Sequence, residues 1–200
     1  MEKTLDYFMA TASPWTYLGH RRVIELCKRH GIRLNMMPVD LGQVFPQSGG
    51  LPLGKRAPQR QAYRLVELAR WREVTGLPLN AQPRYFPVDG SPSALAIIGA
   101  QIHSGVEAGL KLADAVLRAV WAEERDIASS EVIAALIRET GLDVDAIASR
   151  REEAARVYSD NTQRAMTEQV FGAPWYVWRG EPFWGQDRLD LLERAIGATR

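Results

Sequence analysis

The segment that decides the fold is residues 5–39, LDYFMATASPWTYLGHRRVIELCKRHGIRLNMMPV. Leu5–Met9 and Ile32–Val39 are apolar runs of strand length. Between them, Ser13-Pro14 is a helix-start signal, with Ser at the cap and Pro at the first helical position, and Gly31 ends the helix. The segment predicts a βαβ unit whose two strands are parallel.

The C-terminal end of the chain carries a second pattern, in which strands precede a helix. Residues 173–178 and 181–184 are apolar runs joined by Arg179-Gly180, a tight-turn sequence that predicts an antiparallel hairpin. The last helix begins at Gln186, and its predicted buried residues are Leu189, Leu192 and Ile196. The order βαβ…ββα is that of a thioredoxin-like α/β fold.

The middle of the chain has helical periodicity interrupted by two irregular segments. Residues 41–57, rich in Gly and Pro, are predicted to be an irregular loop, and residues 76–92 a Pro-rich connection. A long helix is predicted between them, from Pro58 to about residue 75, with a buried face of Ala62, Leu65, Val66 and Ala69. Further helical faces lie at 113–120 and 133–140, and another helix is predicted at about 151–170.

The order of these segments predicts two structural units. Residues 1–56 and 157–200 form a discontinuous thioredoxin-like domain, and residues 57–156 form a large helical insertion. A chain of 200 residues is long enough to bury a core of this size.

Composition limits the partners and the compartment. The net charge is +1, from 25 basic and 24 acidic residues, so we expect neither a nucleic-acid nor a membrane-surface binder. No apolar run approaches the roughly 20 residues that span a bilayer. The first residues lack the apolar stretch of a secretory signal, and a single cysteine fits a reducing compartment. A cytoplasmic protein is expected.

Metal and thiol chemistry find little support in the sequence. The three histidines, His20, His30 and His103, are scattered and form no ligand cluster with Cys27, so no metal site is predicted. Cys27 lies more than two turns into the predicted helix, on its apolar face. A structural role in the core is therefore expected for this thiol.

Ser13 is the first candidate functional residue. It places a hydroxyl at the start of a helix, directly after a strand, where unpaired N–H groups and the positive end of the helix dipole can receive an anion. The tripeptide is equally compatible with a plain N-cap. Ser13 as a nucleophile would need an activating base, and no histidine has a spacing that offers one.

Three motifs in order carry a family resemblance: residues 13–19 (SPWTYLG), 170–174 (VFGAP) and 183–188 (FWGQDR). Together they resemble the 2-hydroxychromene-2-carboxylate isomerases. These enzymes belong with the kappa-class glutathione transferases in the thioredoxin-fold group that includes the disulfide oxidoreductase DsbA. The resemblance covers nearly the whole chain, and it implies a DsbA/kappa-type fold, glutathione as cofactor and a homodimer.

The resemblance also implies which redox chemistry is missing. In the disulfide oxidoreductases of this group, a Cys-x-x-Cys occupies the place of Ser13 to Thr16. Both positions are hydroxyl residues here, so two-thiol chemistry is absent from this site. The reactive sulfur would come from glutathione, with Ser13 donating a hydrogen bond to it and the helix N-terminus lowering the pKa of its thiol.

Two further motifs are implied to bind glutathione. Ala173-Pro174 stands where the fold carries a cis-proline, which would leave the Ala173 backbone free to pair with the cysteinyl part; an ordinary trans proline is the alternative. Asp187 would pair with the γ-glutamyl amine, and Gln186 with the helix amides would receive its carboxylate. The alternative for Asp187 is a helix cap, and Arg188 would contact the ligand or face solvent.

The long helix and the loop before it carry the remaining candidates. Arg60 stands where the family often has Lys near the glycyl end of glutathione; it shares a predicted face with Tyr63, Glu67, Arg70 and Trp71, for which a salt-bridged surface is the alternative. Ser48-Gly49-Gly50 departs from the Gly-Asn of relatives, so an Asn-type contact from this loop is in doubt. The substrate candidates are Pro14, Trp15, Lys55, Arg56 and Tyr85, with solvated surface as the alternative for Lys55.

The implied reaction is an isomerisation of 2-hydroxychromene-2-carboxylate or a related 2-oxo acid of aromatic catabolism. The glutathione thiolate adds reversibly to a conjugated carbon, the former double bond rotates, and glutathione leaves unchanged. Two alternatives stay open: a kappa-like transferase or peroxidase that consumes glutathione, and a non-catalytic thioredoxin-like module that binds a partner through its cis-proline groove.

Overall fold

The computed structural model describes residues 3–198, so the predicted domain ends at residues 1, 2, 199 and 200 lie outside it. The strands are β1 (Thr4–Met9), β2 (Arg33–Pro38), β3 (Trp175–Trp178) and β4 (Glu181–Trp184). The helices are α1 (Pro14–His30), α2 (Leu41–Ser48), α3 (Pro58–Thr75), α4 (Ser91–Ser104), α5 (Val106–Trp121), α6 (Ser130–Glu139), α7 (Val144–Ala148), α8 (Arg151–Thr167) and α9 (Leu189–Gly197).

The four strands form one mixed sheet in the order β2-β1-β3-β4. β1 pairs in parallel with β2, with Leu5 opposite Leu34, and antiparallel with β3, with Tyr7 opposite Tyr176. β3 and β4 form the predicted hairpin, whose turn residues Arg179 and Gly180 both have positive φ, 52° and 84°, as a two-residue hairpin turn of type I′ requires. The predicted thioredoxin-like order of elements is confirmed.

The helix α1 begins and ends where the sequence predicts. Ser13 is its N-cap, Pro14 occupies the first helical position, and Gly31 ends it in a left-handed conformation with φ of 62°. Its buried residues include Leu18 and Val23, which belong to the same core cluster as Leu5 and Tyr7 of β1. The sheet therefore holds the N-terminus of α1 in a fixed place beside the ends of β1 and β3.

The prediction of an irregular loop over residues 41–57 is wrong for its first half. Residues 41–48 form α2, because Asp40 caps the helix by accepting a hydrogen bond from the Gly42 N–H and Val44 buries its side chain against β2 and α8. The high Gly and Pro content that indicated a loop instead marks the helix end, where Gly49 has φ of 72°.

The predicted buried face of α3 is also wrong, although the helix itself is confirmed. Ala62, Val66 and Ala69 are exposed, and the buried residues are Arg64 and Leu68. The helix is rotated from the expected orientation because the Arg64 guanidinium lies over aromatic rings and so covers apolar surface that an aliphatic residue was expected to cover.

The helices α3 to α7 lie in the chain between β2 and β3, as the insertion predicts. The paired helices α4 and α5 form its centre, and the faces predicted at 113–120 and 133–140 are buried. α8, which ends three residues before the predicted Val170, packs on α4 and also on α2 and β2. The predicted boundary between residues 156 and 157 falls inside α8, and the division into two domains stays a prediction.

Candidate active site

Ser13 lies at the start of α1 with both hydrogen-bonding capacities of its hydroxyl in use. Its Oγ accepts a hydrogen bond from the Thr16 N–H at 3.2 Å and donates one to the Ala173 carbonyl at 3.2 Å. The residue is only 9% exposed. Ser13 is therefore the N-cap of α1, which confirms one of the two interpretations given above. Its hydroxyl also connects the start of α1 to the Ala173-Pro174 segment, 160 residues away in the chain.

The segment before β3 has the backbone geometry that the resemblance implies. The Ala173-Pro174 peptide bond is cis. The Pro174 carbonyl accepts from the Gly185 N–H at 2.9 Å, which fixes the end of the hairpin, whereas the Ala173 N–H has no hydrogen-bond partner among residues 3–198. Gly172 is required by space, since a Cβ there would lie 2.7 Å from Nε1 of Trp184.

Thr16 supplies a second unused polar group in the first turn of α1. Its Oγ1 is fully buried and forms no hydrogen bond within the described part of the chain. A buried hydroxyl without a partner is costly in an apolar core. Because the Thr16 Oγ1 is closed off from solvent, the Ala173 N–H is the unused polar group beside Ser13 that a ligand could meet.

Gln186 is held in place by an arginine that the sequence analysis does not identify. Nη1 of Arg22 donates to Oε1 of Gln186 at 2.6 Å and to its carbonyl at 3.2 Å. Gln186 is 2% exposed, and engaging its oxygen leaves the NH₂ group as the donor that it can offer to a ligand. The contact needs Gly19, where a Cβ would lie 2.7 Å from the Gln186 Cβ.

Asp187 and Arg188 lie on the surface beside Gln186, in the short 3-10 turn that precedes α9. They form an ion pair with each other at 2.6 Å, and both are exposed. Asp187 makes no capping hydrogen bond to the helix, so the alternative interpretation of this residue as a helix cap is wrong. The roles of both residues toward glutathione stay predictions.

His20 is a buried residue of α1, and its imidazole is neutral. Its Nε2 donates to the Leu110 carbonyl at 3.1 Å, and its Nδ1 accepts from the Tyr7 hydroxyl at 3.2 Å. Burial lowers the pKa of His20 below its ordinary value, against the opposing effect of the Leu110 carbonyl. This imidazole has both nitrogens occupied inside the core, so it is not a base for Ser13.

The candidates at residues 55, 56, 60 and 85 differ in how far they are exposed. Arg60 and Lys55 are exposed, and for Lys55 this agrees with the alternative that it is a solvated surface residue. Arg56 is half-buried and donates from Nε to the Leu51 carbonyl at 2.8 Å; burial and then Arg60 lower the pKa of its guanidinium. Tyr85 is half-buried, with the Arg84 guanidinium over its ring.

The remaining residues of the α3 pattern fall into two groups. Arg70 and Glu67 form a surface ion pair at 2.6 Å, and Tyr63 is 59% exposed. This part of the face is therefore the salt-bridged surface that was the alternative to a ligand-binding role. Trp71 packs against the core instead, with the Arg22 guanidinium over its ring at 5.7 Å. The Ser48 hydroxyl donates back into α2, to the Val44 carbonyl, so it is engaged within its own helix and does not stand in for the Asn that the resemblance implies for this loop.

Thr11, in the loop before Ser13, is a second site residue that the sequence analysis does not identify. The Thr11 hydroxyl donates to the Gly90 carbonyl at 3.0 Å. A Cβ at Gly90 would lie 2.4 Å from the Oγ1 of Thr11, so a larger residue would not fit there. The contact draws the Pro-rich connection onto the start of α1. A pairing of residues 79 positions apart carries no local sequence signal.

Cys27 is buried, and burial raises the pKa of its thiol to about 12. No three His, Cys, Asp or Glu side chains of residues 3–198 come together in a way that could hold a metal ion. Across the same range, no helix has both the length and the apolar character needed to cross a membrane.

Comparison with known proteins first identifies the class of protein to which this chain belongs. The chain matches the family described as the DSBA-like thioredoxin domain over residues 4–197. Its fold and the hydroxyl residues at the start of α1 place it in this class of thioredoxin-fold proteins, without the paired thiols. The cytosolic disulfide reductase DsbM from Pseudomonas aeruginosa, in a structure with GSH, shares the fold with a TM-score of 0.68 at 21% identity, covering 98% of each chain.

Closer relatives narrow the class to a family. The chain is 30% identical over 199 residues to the 2-hydroxychromene-2-carboxylate isomerase of Pseudomonas putida, covering 96% of this chain and 94% of that protein. A 2-hydroxychromene-2-carboxylate isomerase structure superposes with a TM-score of 0.83 at 25% identity, covering 98% and 95%. Glutathione S-transferase kappa 1 of Homo sapiens is 23% identical over 209 residues, covering 98% and 92%. The chain belongs to the 2-hydroxychromene-2-carboxylate isomerase family.

Proposed function

We propose that this protein is a glutathione-dependent isomerase of 2-hydroxychromene-2-carboxylate or a related aromatic 2-oxo acid. The observation that carries the proposal is the Ser13 hydroxyl, placed between the start of α1 and the Ala173 carbonyl. The family relationship supports it, since the Pseudomonas putida relative bears the name of that activity.

The residues around Ser13 fit the three parts of glutathione. The unpaired Ala173 N–H offers an edge to the cysteinyl backbone, in the manner of an added strand. Gln186 offers its NH₂ group to the γ-glutamyl carboxylate, and Asp187, the exposed next residue, is the candidate partner for the amine. Arg60, exposed near the start of α3, is the candidate for the glycyl carboxylate.

When bound, glutathione supplies the thiolate that adds reversibly to the substrate and allows the former double bond to rotate. Ser13 contributes by turning its O–H from the Ala173 carbonyl toward the sulfur, and the first N–H groups of α1 add their partial positive charge. Lowering a thiol pKa by about one unit corresponds to about 1.4 kcal/mol. The same change gives up to about tenfold more thiolate when the pKa lies above the working pH.

Pro14 and Trp15 are the chain's own walls for the substrate in this proposal. Pro14 is buried and Trp15 half-buried in the first turn of α1, next to Ser13. Apolar walls of this kind exclude water and orient an aromatic ring against the reacting sulfur. Lys55, Arg56 and Tyr85 complete the set of substrate candidates.

The experiment that tests this function follows free thiol during turnover. Purified protein is supplied with 2-hydroxychromene-2-carboxylate and a small amount of glutathione, and thiol is measured after many turnovers. An isomerase converts the substrate while free thiol stays constant. Thiol that falls in step with product indicates the transferase or peroxidase alternative, which the kappa-class relative favours. No conversion, with no heat of glutathione binding, indicates the non-catalytic module.

Three broader properties belong to the same proposal. We place the protein in the cytoplasm, in aromatic catabolism and in a homodimer. The fold similarity to a cytosolic reductase supports the first property. Exposed apolar residues on α3, such as Val66 and Val74 at 45% and 72% exposure, support the last, since paired copies would cover them.

A further inference from the structure

Arg64 is a buried cation for which the reaction described so far has no use. It lies in α3, is 9% exposed, and its Nη2 has no hydrogen-bond partner among residues 3–198. Its guanidinium lies over the Phe86 ring at 5.1 Å and over the Trp121 ring at 5.5 Å. Buried arginines are ordinarily paired with an acid, so an unpaired one marks a place where an anion is missing.

The charges around Arg64 do not neutralise it. Burial, and next the neighbouring Arg56, lower the pKa of the Arg64 guanidinium to about 10, so the group is still cationic at neutral pH. The one charged side chain that acts on it in the described chain is thus another cation. A buried arginine over two aromatic rings, with a second arginine acting on it, is complementary to a carboxylate attached to an aromatic group.

Contacts with α5 place Arg64 at the Ser13 end of α1. The Tyr17 hydroxyl, one turn after Ser13, donates to the Pro78 carbonyl at 2.7 Å. Two residues further on, the Asn80 N–H donates to the Trp121 carbonyl at 2.7 Å. Trp121, whose ring the Arg64 guanidinium covers, is therefore a neighbour of the first turns of α1.

The second ring under Arg64 reaches the site by a separate route. Phe86 belongs to the Pro-rich connection, and four residues later the Gly90 carbonyl accepts the hydrogen bond from Thr11, two residues before Ser13. Loop, helix and insertion thus converge on the start of α1.

We propose that Arg64 binds the carboxylate of the aromatic acid substrate, with the rings of Phe86 and Trp121 forming the floor beneath it. The inference rests on the proposed function for the identity of the acid. It assigns to Arg64 the specificity for an acid over its neutral ester, while Ser13 and its neighbours hold glutathione. Arg64 is a substrate-binding residue in this account, and Arg56 a second cation near the same carboxylate.

The test measures binding rather than turnover. The probe is 4-phenyl-2-oxobutanoate, an aromatic 2-oxo acid with no conjugated double bond to react, and its methyl ester is the neutral comparison. Calorimetric titrations use the wild type, Arg64→Met, Arg64→Lys and Arg72→Met. The last variant removes the same charge from an exposed position of α3 and is the matched control.

We expect wild type and Arg72→Met to bind the acid about tenfold or more tightly than the ester, as a charge-assisted hydrogen bond requires. Arg64→Met loses this preference while glutathione binds it as it binds the wild type. Arg64→Lys, which keeps the charge, retains part of the preference.

Two results would overturn the inference: equal affinity of wild type for acid and ester, or an unchanged preference in Arg64→Met. Both are independent of the proposed function, which fails instead if glutathione does not bind the wild type or thiol is consumed. If Arg64→Met unfolds, the acid-over-ester preference of Arg64→Lys decides: a preference as strong as that of the wild type, despite the lost fork geometry, contradicts a direct carboxylate contact.

Discussion

Ser13 serves structure and chemistry with the same oxygen atom. Its lone pair caps α1 through the Thr16 N–H, while its proton is directed at the Ala173 carbonyl. Capping uses only the oxygen lone pair, so the O–H can turn and donate its hydrogen bond to a ligand sulfur without uncapping the helix. The two interpretations of Ser13 as a cap and as a functional group are therefore compatible.

We expect Ser13→Ala to lower the glutathione-dependent rate about tenfold to a hundredfold, the effect of losing one hydrogen bond to a charged group. The matched control is Ser129→Ala, which removes another serine N-cap, bonded to the Val132 N–H, far from this site. Both variants should lose about 1 kcal/mol of stability. A rate within about twofold of wild type in Ser13→Ala contradicts the role given to its hydroxyl.

Arg22 is a positioning residue for Gln186. We expect Arg22→Met to raise the KM for glutathione roughly tenfold and to leave kcat within about threefold, because the variant frees the Gln186 amide but leaves Ser13 in place. Arg29→Met, which breaks a surface ion pair of α1 with Glu193, is the control and should leave the KM for glutathione unchanged. A fall in kcat with no change in KM speaks against this role.

His20 makes stability depend on pH. The unfolded imidazole takes up a proton below about pH 6.5, whereas burial among Tyr7, Leu110 and the more distant Asp114 and Arg21 keeps the folded one neutral to lower pH. The unfolded state therefore binds more protons, and stability present above pH 6.5 is lost as the pH falls.

Urea unfolding at pH 5 and pH 8 checks this dependence. We expect the free energy of unfolding to fall toward pH 5 in wild type and in His103→Gln, whose histidine is exposed. His20→Gln should show a smaller difference between the two pH values, by about 1.4 kcal/mol for each unit of pKa shift removed. An equal difference in all three proteins refutes the buried neutral histidine.

At the scale of elements, the close approach of α1 to the turn before α9 depends on Gly19. Alanine is favoured over glycine in a helix by about 1 kcal/mol, so a substitution without steric conflict would stabilise α1. At Gly19 the new methyl group meets the Gln186 Cβ at 2.7 Å and the Tyr176 hydroxyl at 3.0 Å, and neither atom is the free end of a flexible chain.

We therefore expect Gly19→Ala to destabilise the protein by about 1–3 kcal/mol and to weaken glutathione binding as Gln186 is displaced. Gly197→Ala is the control, because nothing lies within 4 Å of a Cβ at that helical position. Thermal unfolding and calorimetry measure both effects. A stabilised Gly19→Ala protein means that the two elements are less tightly packed than described.

The elements differ in how far the sequence predicts them. Strong local signals predict α1 and the hairpin, because Ser13-Pro14, Gly31 and Arg179-Gly180 act on their own neighbours. The orientation of α3 is not predictable in this way, since its buried face is decided by aromatic rings of residues 86 and 121 that only the folded chain brings near. The Gly and Pro of residues 41–57 predict a loop, whereas the cap at Asp40 favours the helix α2 that forms.

The candidate site shows the same division. Ser13, Ala173-Pro174 and Gln186 stand in contiguous motifs and were identified from the sequence. Arg22 and Arg64 act through contacts that cross from one element to another, and neither lies in a motif. Their signal exists only in the structure, as a short contact to Gln186 in one case and an unpaired buried guanidinium in the other.

At the scale of the whole molecule, the exposed face of α3 is the surface through which we propose that two copies of the chain associate. Ala62, Val66 and Val74 share that face and are open to solvent in the single chain. We expect Val66→Glu to convert a dimer to a monomer at micromolar concentration, because it buries a charge in the apolar contact. Sedimentation velocity measures the change.

Val106→Glu is the control for this experiment. Val106 is 38% exposed at the start of α5, where a carboxylate is favoured by the helix dipole. This variant should sediment as wild type does. A wild-type protein that is monomeric, or a Val66→Glu protein that is still a dimer, rules out α3 as the contact between copies.

The central claim is that Ser13 holds the sulfur of glutathione, and a crystal structure of the protein soaked with glutathione tests it most directly. The account predicts the sulfur within about 3.5 Å of the Ser13 Oγ, with the cysteinyl backbone paired to Ala173 and the γ-glutamyl group beside Gln186. Glutathione bound elsewhere, or bound here with its sulfur turned away from Ser13 into solvent, would contradict it.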